Sequence, residues 1–113
     1  MRGRIFAVAG LIAVAGWAFA HSSIETSTPA DGAVVAVVPA EIALRFDDEI
    51  RLTSVRVERG DQTIALDLSA IDGFSTEYAL PFNDMGAGAY RIEWRGLAVD
   101  GHAMQGTFSF DVK

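Results

Sequence analysis

Apolar and polar residues alternate along most of the chain that follows residue 40. In EIALRF (41–46), for example, Ile42, Leu44 and Phe46 fall on one face and the residues between them fall on the other. A period of two is typical of a β-strand with one buried face. The pattern predicts six such strands, at residues 41–46, 54–59, 63–68, 76–80, 89–94 and 106–112.

The stretch before residue 40 is less regular. Residues 22–27 predict an edge strand, and PADG (29–32) predicts a turn. The β-branched run 33–38 ends at Pro39, which suits an edge strand or an irregular crossing. The best helix candidate is about one turn within 69–73. We therefore predict a single all-β domain of about seven strands, an antiparallel sandwich or barrel.

The first 20 residues have the organisation of a cleaved secretory signal peptide. Arg2 and Arg4 precede the apolar stretch 5–17, and Ala18-Phe19-Ala20 matches the small-x-small cleavage pattern. The alternative is a retained membrane anchor, but the apolar stretch is shorter than the ~20 residues that a spanning helix needs. The chain has no cysteine, which excludes a lipid anchor on cysteine and any disulfide. We expect export to the periplasm.

The net charge of the cleaved domain limits the classes of partner that it is expected to bind. Cleavage after Ala20 would leave 113 − 20 = 93 residues as one domain, residues 21–113. Both signal arginines would be lost, so 7 basic and 15 acidic side chains would give a formal charge of −8. An acidic domain is poorly suited to phosphate backbones, and we do not expect it to bind nucleic acid.

The residue after the predicted cut is His21, one of only two histidines in the chain. A terminal histidine offers a free α-amine and ring Nδ1, which together close a chelate ring on one metal ion. An internal histidine cannot do this, because its backbone nitrogen is an amide. Two donors on one residue are pre-organised, so little ordering entropy is lost on binding. His21 is therefore a candidate metal ligand that cleavage would create.

The second histidine, His102, lies two residues after Asp100 in AVDGHAMQG (98–106). In an extended segment, residues i and i+2 point to the same side, so this carboxylate and imidazole would converge. The alternative is structural, because Asp-Gly is a favoured hairpin turn that His102 would simply follow. With His21, the pair would supply an amine, two imidazoles and a carboxylate.

This donor set favours particular metals. Nitrogen-rich sites of tetragonal shape without thiolate suit Cu(II), although two imidazoles and a carboxylate also suit Zn(II). A flat amine–imidazole chelate fits a Cu(II) square better than a tetrahedron, which favours copper. Cu(I) prefers sulfur ligands, and only Met85 and Met104 would remain after cleavage. We interpret both methionines as packing residues in or near the core.

Other conspicuous residues predict structure rather than chemistry. The acidic run FDDEI (46–50) ends a predicted strand and offers too few regularly spaced oxygens for a calcium loop. Tyr90 follows MGAGA as in a tyrosine corner, and we predict that Tyr90 and Trp94 are core residues. With both histidines assigned to metal, no serine or threonine has a base for a hydrolytic triad. We expect a binding protein and not an enzyme.

Three stretches, in this order along the chain, resemble the copper-resistance protein CopC family of periplasmic copper-binding domains. HSSIETSTPADGAVV (21–35) resembles the family's terminal histidine and Ser-x-Pro-Ala-x-Gly turn. PAEIALRFDDEI (39–50) resembles its apolar strand ending in Phe-Ser-Glu. GAGAYRIEWRGLAVDGHAMQGTFSFDV (86–112) resembles its Gly-x-Tyr-x-Val-x-Trp-Arg, Asp-x-His and Gly-x-Phe-x-Phe-x-Val motifs. The resemblance covers essentially all of residues 21–113.

The resemblance implies an immunoglobulin-like Greek-key β-sandwich in which His21, Asp100 and His102 hold Cu(II). The family's Phe-Ser-Glu carboxylate falls on Asp48, which is one methylene shorter, so we expect Asp48 to orient the amine or an imidazole without touching the metal. The family's Ser-x-Asp-Gly-His-Pro appears as LAVDGHAM (97–104), which lacks the serine and the proline but no ligand. The methionine- and histidine-rich Cu(I) loop of some members is missing, so we do not expect exchange between Cu(I) and Cu(II) sites.

The leading functional hypothesis is a monomeric periplasmic protein that binds one Cu(II) for copper resistance, buffering or delivery to a membrane transporter of the CopD type. An alternative is a copper-dependent oxidative enzyme of the polysaccharide monooxygenase type, whose copper site also contains an amine and two imidazoles. Such enzymes need a broad aromatic face, which two tyrosines and the one tryptophan left after cleavage can hardly build. A third possibility, an adhesion module without metal, leaves both histidines unexplained.

Overall fold

The computed structural model describes residues 24–113, and this part of the chain folds into seven strands without a helix. The predicted signal peptide (1–20) and His21 lie outside the described residues. The strands are β1 Ile24–Thr28, β2 Ala33–Val35, β3 Glu41–Arg59, β4 Gln62–Ala65, β5 Ser75–Pro81, β6 Gly88–Ala98 and β7 Ala103–Val112.

The long strand β3 belongs to two sheets. Its first half pairs with β1 and β5, and its second half pairs with β4 and β6. A strand has only two edges, so four partners require two successive sheets. One sheet is β1–β3–β5, and the other continues from β4 and β3 through β6 and β7 to β2. The predicted seven-stranded β-sandwich is confirmed.

The acidic run lies where β3 passes from one sheet to the other. The β3–β5 register shifts between Arg45 and Ile50, and Asp47, Asp48 and Glu49 are exposed in this interval. The prediction that a strand ends at this run was wrong, because β3 continues without a break to Arg59. Pairing with β6 begins at Ile50, which also makes an isolated pair with Ser75 of β5.

A second irregularity in β3 changes which residues face the core. Leu52 and Val55 are both buried although they are three positions apart. The β3–β6 register shifts between Leu52 and Ser54, so one extra residue is accommodated there. Beyond this bulge Val55 and Val57 face inward, as the sequence predicts.

Aromatic side chains join the two sheets. Phe46, from the first half of β3, meets Trp94 of β6 edge-to-face at 5.0 Å between ring centroids. Phe82, directly after β5, packs on Tyr90 and Phe110, whose rings stack in parallel at 5.2 Å. Edge-to-face and offset pairs add to the free energy gained by burial. The predicted core positions of Tyr90 and Trp94 are confirmed.

Tyr90 also closes the loop before β6. Its hydroxyl donates to the Gly86 carbonyl and accepts a hydrogen bond from the Met85 backbone N–H at 3.2 Å. The backbone between residues 85 and 90 is thereby held against the core by a buried ring. This is the hydrogen-bonding geometry of a tyrosine corner, as the sequence predicts.

Several strand bounds differ from the predicted ones for local reasons. β4 ends at Ala65 and not at residue 68, because the Asp67 carboxylate accepts the Ser69 backbone N–H at 2.9 Å and turns the chain. Residues 69–73 contain a hydrogen-bonded turn, Leu68 carbonyl to Ile71 N–H, and no helix. β2 is an edge strand as expected, but it pairs with β7 in parallel, which departs from a wholly antiparallel sandwich.

Within residues 24–113, no helix has the length and apolar character required to cross a bilayer.

We expect Gly106→Ala to destabilise the domain by about 1–3 kcal/mol, because overpacking a filled core forces its neighbours to move. Gly106 pairs with Trp94 across β6 and β7, and a methyl group at Gly106 would lie 2.8 Å from indole Nε1. Urea unfolding followed by Trp94 fluorescence measures the change. The matched control is Gln105→Ala on the same strand, which is exposed and should stay within about 0.5 kcal/mol of the wild type. Equal stability of the two variants would show that the indole can move away freely.

Candidate functional site

Two of the predicted site residues, Asp100 and His102, lie in the turn that connects β6 to β7. The Ala98 carbonyl accepts the Gly101 N–H, and the His102 carbonyl accepts the Ala98 N–H, both at 2.9 Å. Gly101 has a φ of +91°, a conformation that glycine adopts without a steric penalty. These constraints define a tight four-residue connection, 99–102.

The Asp100 carboxylate contacts His102 at two points. One carboxylate oxygen accepts the His102 backbone N–H at 3.1 Å, and the other lies 2.8 Å from ring Nδ1. The carboxylate and imidazole therefore converge as the sequence predicts, but in a turn and not on an extended strand. The structural alternative is confirmed, since Asp-Gly-His forms the hairpin turn and the turn itself brings the carboxylate and the imidazole together.

The same contacts stabilise the ionised carboxylate. The His102 backbone N–H, followed by the His102 ring, holds the pKa of Asp100 below its ordinary value. A carboxylate that accepts hydrogen bonds is harder to protonate. Asp100 is therefore negatively charged throughout the neutral range.

The antiparallel register between β3 and β6 brings Asp48 to the same end of the sandwich. The last pair of the ladder is Ile50 with Ala98, so two further steps on each strand lead to Asp48 and Asp100. Both residues line an open cleft of about 460 Å³. The cleft lies at the place where β3 changes sheets.

Three other lining residues were not predicted as part of the site. Glu49, Ala98 and Val99 line the cleft beside Asp48 and Asp100. The sequence predicts that the acidic run 46–50 ends a strand and does not predict that Glu49 faces the β6–β7 turn. The signal that identifies Glu49 is the β3–β6 register, which sets it opposite Val99 one step beyond the last ladder pair.

The described residues do not form a complete metal site. Within residues 24–113, no group of three or more histidine, aspartate or glutamate side chains is arranged to hold a metal ion. His102 is 82% exposed and adjoins the cleft through Asp100. A site here needs at least one further ligand, and predicted ligand His21 lies outside the described residues.

Among the described residues, no methionine sulfur lines this cleft. Met85 and Met104 are partly buried and pack against the hydrophobic core, as predicted. Neither lines the cleft, whose walls are carboxylates and small apolar side chains. The donors that the described residues offer at this end of the sandwich are oxygen and imidazole nitrogen.

Comparison with known proteins identifies the family. The family model of the CopC domain matches residues 24–113, the whole of the described chain. This chain belongs to the CopC family. Copper resistance protein C of Pseudomonas syringae pv. tomato is 29% identical over an alignment of 115 residues, which covers 93% of this chain and 90% of that protein. Copper resistance protein C of Xanthomonas campestris pv. juglandis is 29% identical over 106 residues, covering 85% and 83%.

Solved structures of CopC-family proteins share the fold. The crystal structure of CopC from Methylosinus trichosporium OB3b superposes with a TM-score of 0.67 at 23% identity, over 82% of this chain and 94% of that one. Selenomethionine PcoC, a copper resistance protein from Escherichia coli, superposes with a TM-score of 0.62 at 20% identity, over 81% and 100%. The CopC-family resemblance read from the sequence motifs is confirmed, and so is the sandwich that it implies.

Proposed function

We propose that this CopC-family protein is exported to the periplasm, loses residues 1–20, and binds one Cu(II) through His21, Asp100 and His102. The observation that supports the proposal best is the Asp100–His102 pair beside an acidic cleft. The N-terminal end of β1 lies at the same end of the sandwich. The names of two relatives, both copper resistance protein C, support copper as the metal.

A chain that begins at His21 would be long enough to reach this cleft. Ile24 pairs with Phe46, and Asp48 is two residues further along β3. Three residues, His21 to Ser23, span up to about 10 Å at ~3.4 Å per residue. Continued antiparallel pairing would bring His21 level with Glu49, which lines the cleft. The α-amine and Nδ1 of His21 would then join the imidazole of His102 and the carboxylate of Asp100.

The donor set favours Cu(II) over other metals. Amine, imidazole and carboxylate ligands suit a tetragonal ion that stands at the top of the divalent affinity order. Cu(I) prefers sulfur, and the two methionines of the described chain pack against the core. Asp48 lines the same cleft and would orient a ligand and add negative charge without binding the ion.

Copper is the cargo of this protein and not a catalyst for it. The cleft is open, so a bound ion could leave to a partner, and we expect a membrane copper transporter of the CopD type to be that partner. Sugar-binding copper enzymes need an exposed aromatic platform. Tyr78, Tyr90 and Trp94 are buried in this sandwich and cannot provide it. A carrier or buffer therefore fits the described surface better than a polysaccharide monooxygenase.

We expect the three site variants to lose Cu(II) affinity in the order His102→Ala, Asp100→Asn, Asp48→Asn. An imidazole in the copper plane is a strong donor, the Asp100 carboxylate adds one oxygen and charge, and Asp48 acts only through its neighbours. Isothermal titration of the processed protein against a competing chelator gives the order directly. The control is Asp111→Asn, an exposed carboxylate on β7 outside the cleft, which should bind like the wild type. If Asp48→Asn were the weakest binder, Asp48 would be a ligand.

We expect at least a hundredfold weaker Cu(II) binding when one residue precedes His21. An added methionine moves the free amine off the histidine and destroys its chelate ring, which corresponds to roughly 2.7 kcal/mol at 1.4 kcal/mol per tenfold. The comparison is between protein secreted and cut after Ala20 and protein made in the cytoplasm as Met-His21. Electron paramagnetic resonance counts the nitrogen donors in each.

Two controls accompany that comparison. Mass spectrometry establishes each N-terminus, and urea unfolding without metal should give equal stabilities, because the added residue lies at a chain end. Equal copper affinities of the two forms would mean that the amine is not a ligand and would overturn the proposed site.

We expect the copper-loaded protein to release no more hydrogen peroxide with ascorbate than an equal concentration of copper held by a simple peptide chelator. A carboxylate and three nitrogens leave no readily accessible position in the copper plane for oxygen. A fluorescent peroxide assay makes the comparison. Sustained peroxide release, or oxidation of added polysaccharide, would favour the enzyme hypothesis over the carrier.

A further inference from the structure

The sequence contains three Asp-Gly pairs, at residues 31–32, 72–73 and 100–101. In such a pair the backbone nitrogen of glycine can attack the side-chain carboxyl of aspartate, because glycine has no side chain to obstruct the approach. The attack forms a C–N bond, releases water and closes a succinimide ring. Water then opens the ring at one of its two carbonyls, which restores aspartate or leaves isoaspartate, whose main chain runs through the former side chain. The net reaction is an isomerisation and needs no reactant other than water.

The reaction requires two groups to be free. The carboxyl must turn toward the following nitrogen, and that nitrogen must approach the carboxyl carbon. A carboxylate that accepts a backbone hydrogen bond, or a glycine N–H that donates one, must first break it, so a held pair reacts only when the structure opens locally. The hydrogen bonds of each pair therefore predict its reactivity.

The pair at 31–32 is held at both groups. The Asp31 carboxylate accepts the Ser109 backbone N–H at 2.9 Å, and the Gly32 N–H donates to the Ser109 carbonyl at 2.7 Å. Opening this pair therefore requires the turn before β2 to detach from β7.

The pair at 100–101 is held in the same way, within the β6–β7 turn. The Asp100 carboxylate accepts the His102 backbone N–H at 3.1 Å, and the Gly101 N–H donates to the Ala98 carbonyl at 2.9 Å. Both bonds must break before the Gly101 nitrogen can reach the carboxyl carbon.

The pair at 72–73 differs at both groups. It lies in the irregular segment between β4 and β5, where Asp72 is exposed. Within residues 24–113, neither the Asp72 carboxylate nor the Gly73 N–H has a hydrogen-bond partner. The Tyr78 hydroxyl contacts the Gly73 carbonyl at 3.4 Å, which leaves the Gly73 nitrogen free.

We propose that Asp72 is a site of spontaneous modification, at which the folded protein forms isoaspartate while Asp31 and Asp100 are protected. The inference does not rest on the proposed copper function, since residues 72–73 do not line the cleft. The product carries an isoaspartyl carboxylate, the group that isoaspartyl methyltransferases methylate with S-adenosylmethionine. Asp72 is thereby also the position at which such an enzyme would act on aged protein.

The test is prolonged incubation of the processed, metal-free protein at mildly acidic pH, where part of the carboxyl is protonated and water can leave. Cleavage after arginine and lysine places the three pairs in different peptides, which end at Arg45, Arg91 and Lys113. Mass spectrometry with electron-transfer fragmentation then locates isoaspartate in each peptide. Isoaspartate should form at Asp72 about tenfold or more faster than at the other two pairs, since a local opening of about 1.4 kcal/mol already slows a held pair tenfold.

Unfolded protein and two variants are the controls. In urea the three pairs should react at comparable rates, because the hydrogen bonds that hold two of them are lost. Asp72→Glu should abolish the signal in its peptide, since glutamate closes the corresponding larger ring far more slowly. The matched variant Asp61→Glu, at an exposed residue of the same peptide, should leave the signal unchanged.

Incubation in water enriched in ¹⁸O checks the mechanism, since isoaspartate formed through a succinimide gains one labelled oxygen. Two results would overturn the proposal. One is isoaspartate formation in the folded protein that is as fast at residue 31 or 100 as at residue 72. The other is isoaspartate at residue 72 that appears in urea and not in the folded protein, which would show that the fold holds this pair as well.

Discussion

The pairing of Ile50 with Ser75 on one side and Ala98 on the other is the constraint on which the sandwich and the cleft both depend. At this residue β3 leaves one sheet and enters the second, so the strand has partners from both sheets at a single point. Ile50 itself is buried and anchors the crossing in the core. The Tyr78 hydroxyl donates to the Ile50 carbonyl and ties β5 to the same position. The acidic residues just before Ile50 therefore emerge at one end of the sandwich, beside the turn that follows Ala98.

The residues that form the core are different from the residues that line the cleft. The core is built from apolar side chains of both sheets, and the described chain buries no charged residue. Asp48, Glu49 and Asp100 are exposed around one cleft, where their negative charges repel one another and attract a cation. Water screens that repulsion, so the fold tolerates it at small cost. A divalent ion in the cleft would relieve this repulsion, which would favour binding.

The sequence predicted those features that depend on local alternation and on turn chemistry. The strands around Ile42, Val57, Ile92 and Phe108, the corner at Tyr90 and the convergence of Asp100 with His102 follow from patterns only a few residues long. The long course of β3 could not be predicted in this way. A run of three acids is typical of a loop, but residues 47–49 lie inside β3, between Arg45, which pairs with Glu77, and Ile50, which pairs with Ala98. The cleft was missed for the same reason, since its walls meet only through that pairing.

The edge strand β1 leads back toward the proposed N-terminal ligand. Its register shifts between Ile24 and Thr26, so one residue, Glu25, is accommodated as an irregularity. In an antiparallel pair, a shift of one residue changes both the face and the level of every residue beyond it. The bulge thus sets which β3 residue Ile24, and the segment before it, would meet. A ligand at the chain terminus can bind the ion only if its strand places it level with the other ligands. The geometry of β1 is therefore as much a part of the proposed copper site as the side chains that would touch the ion.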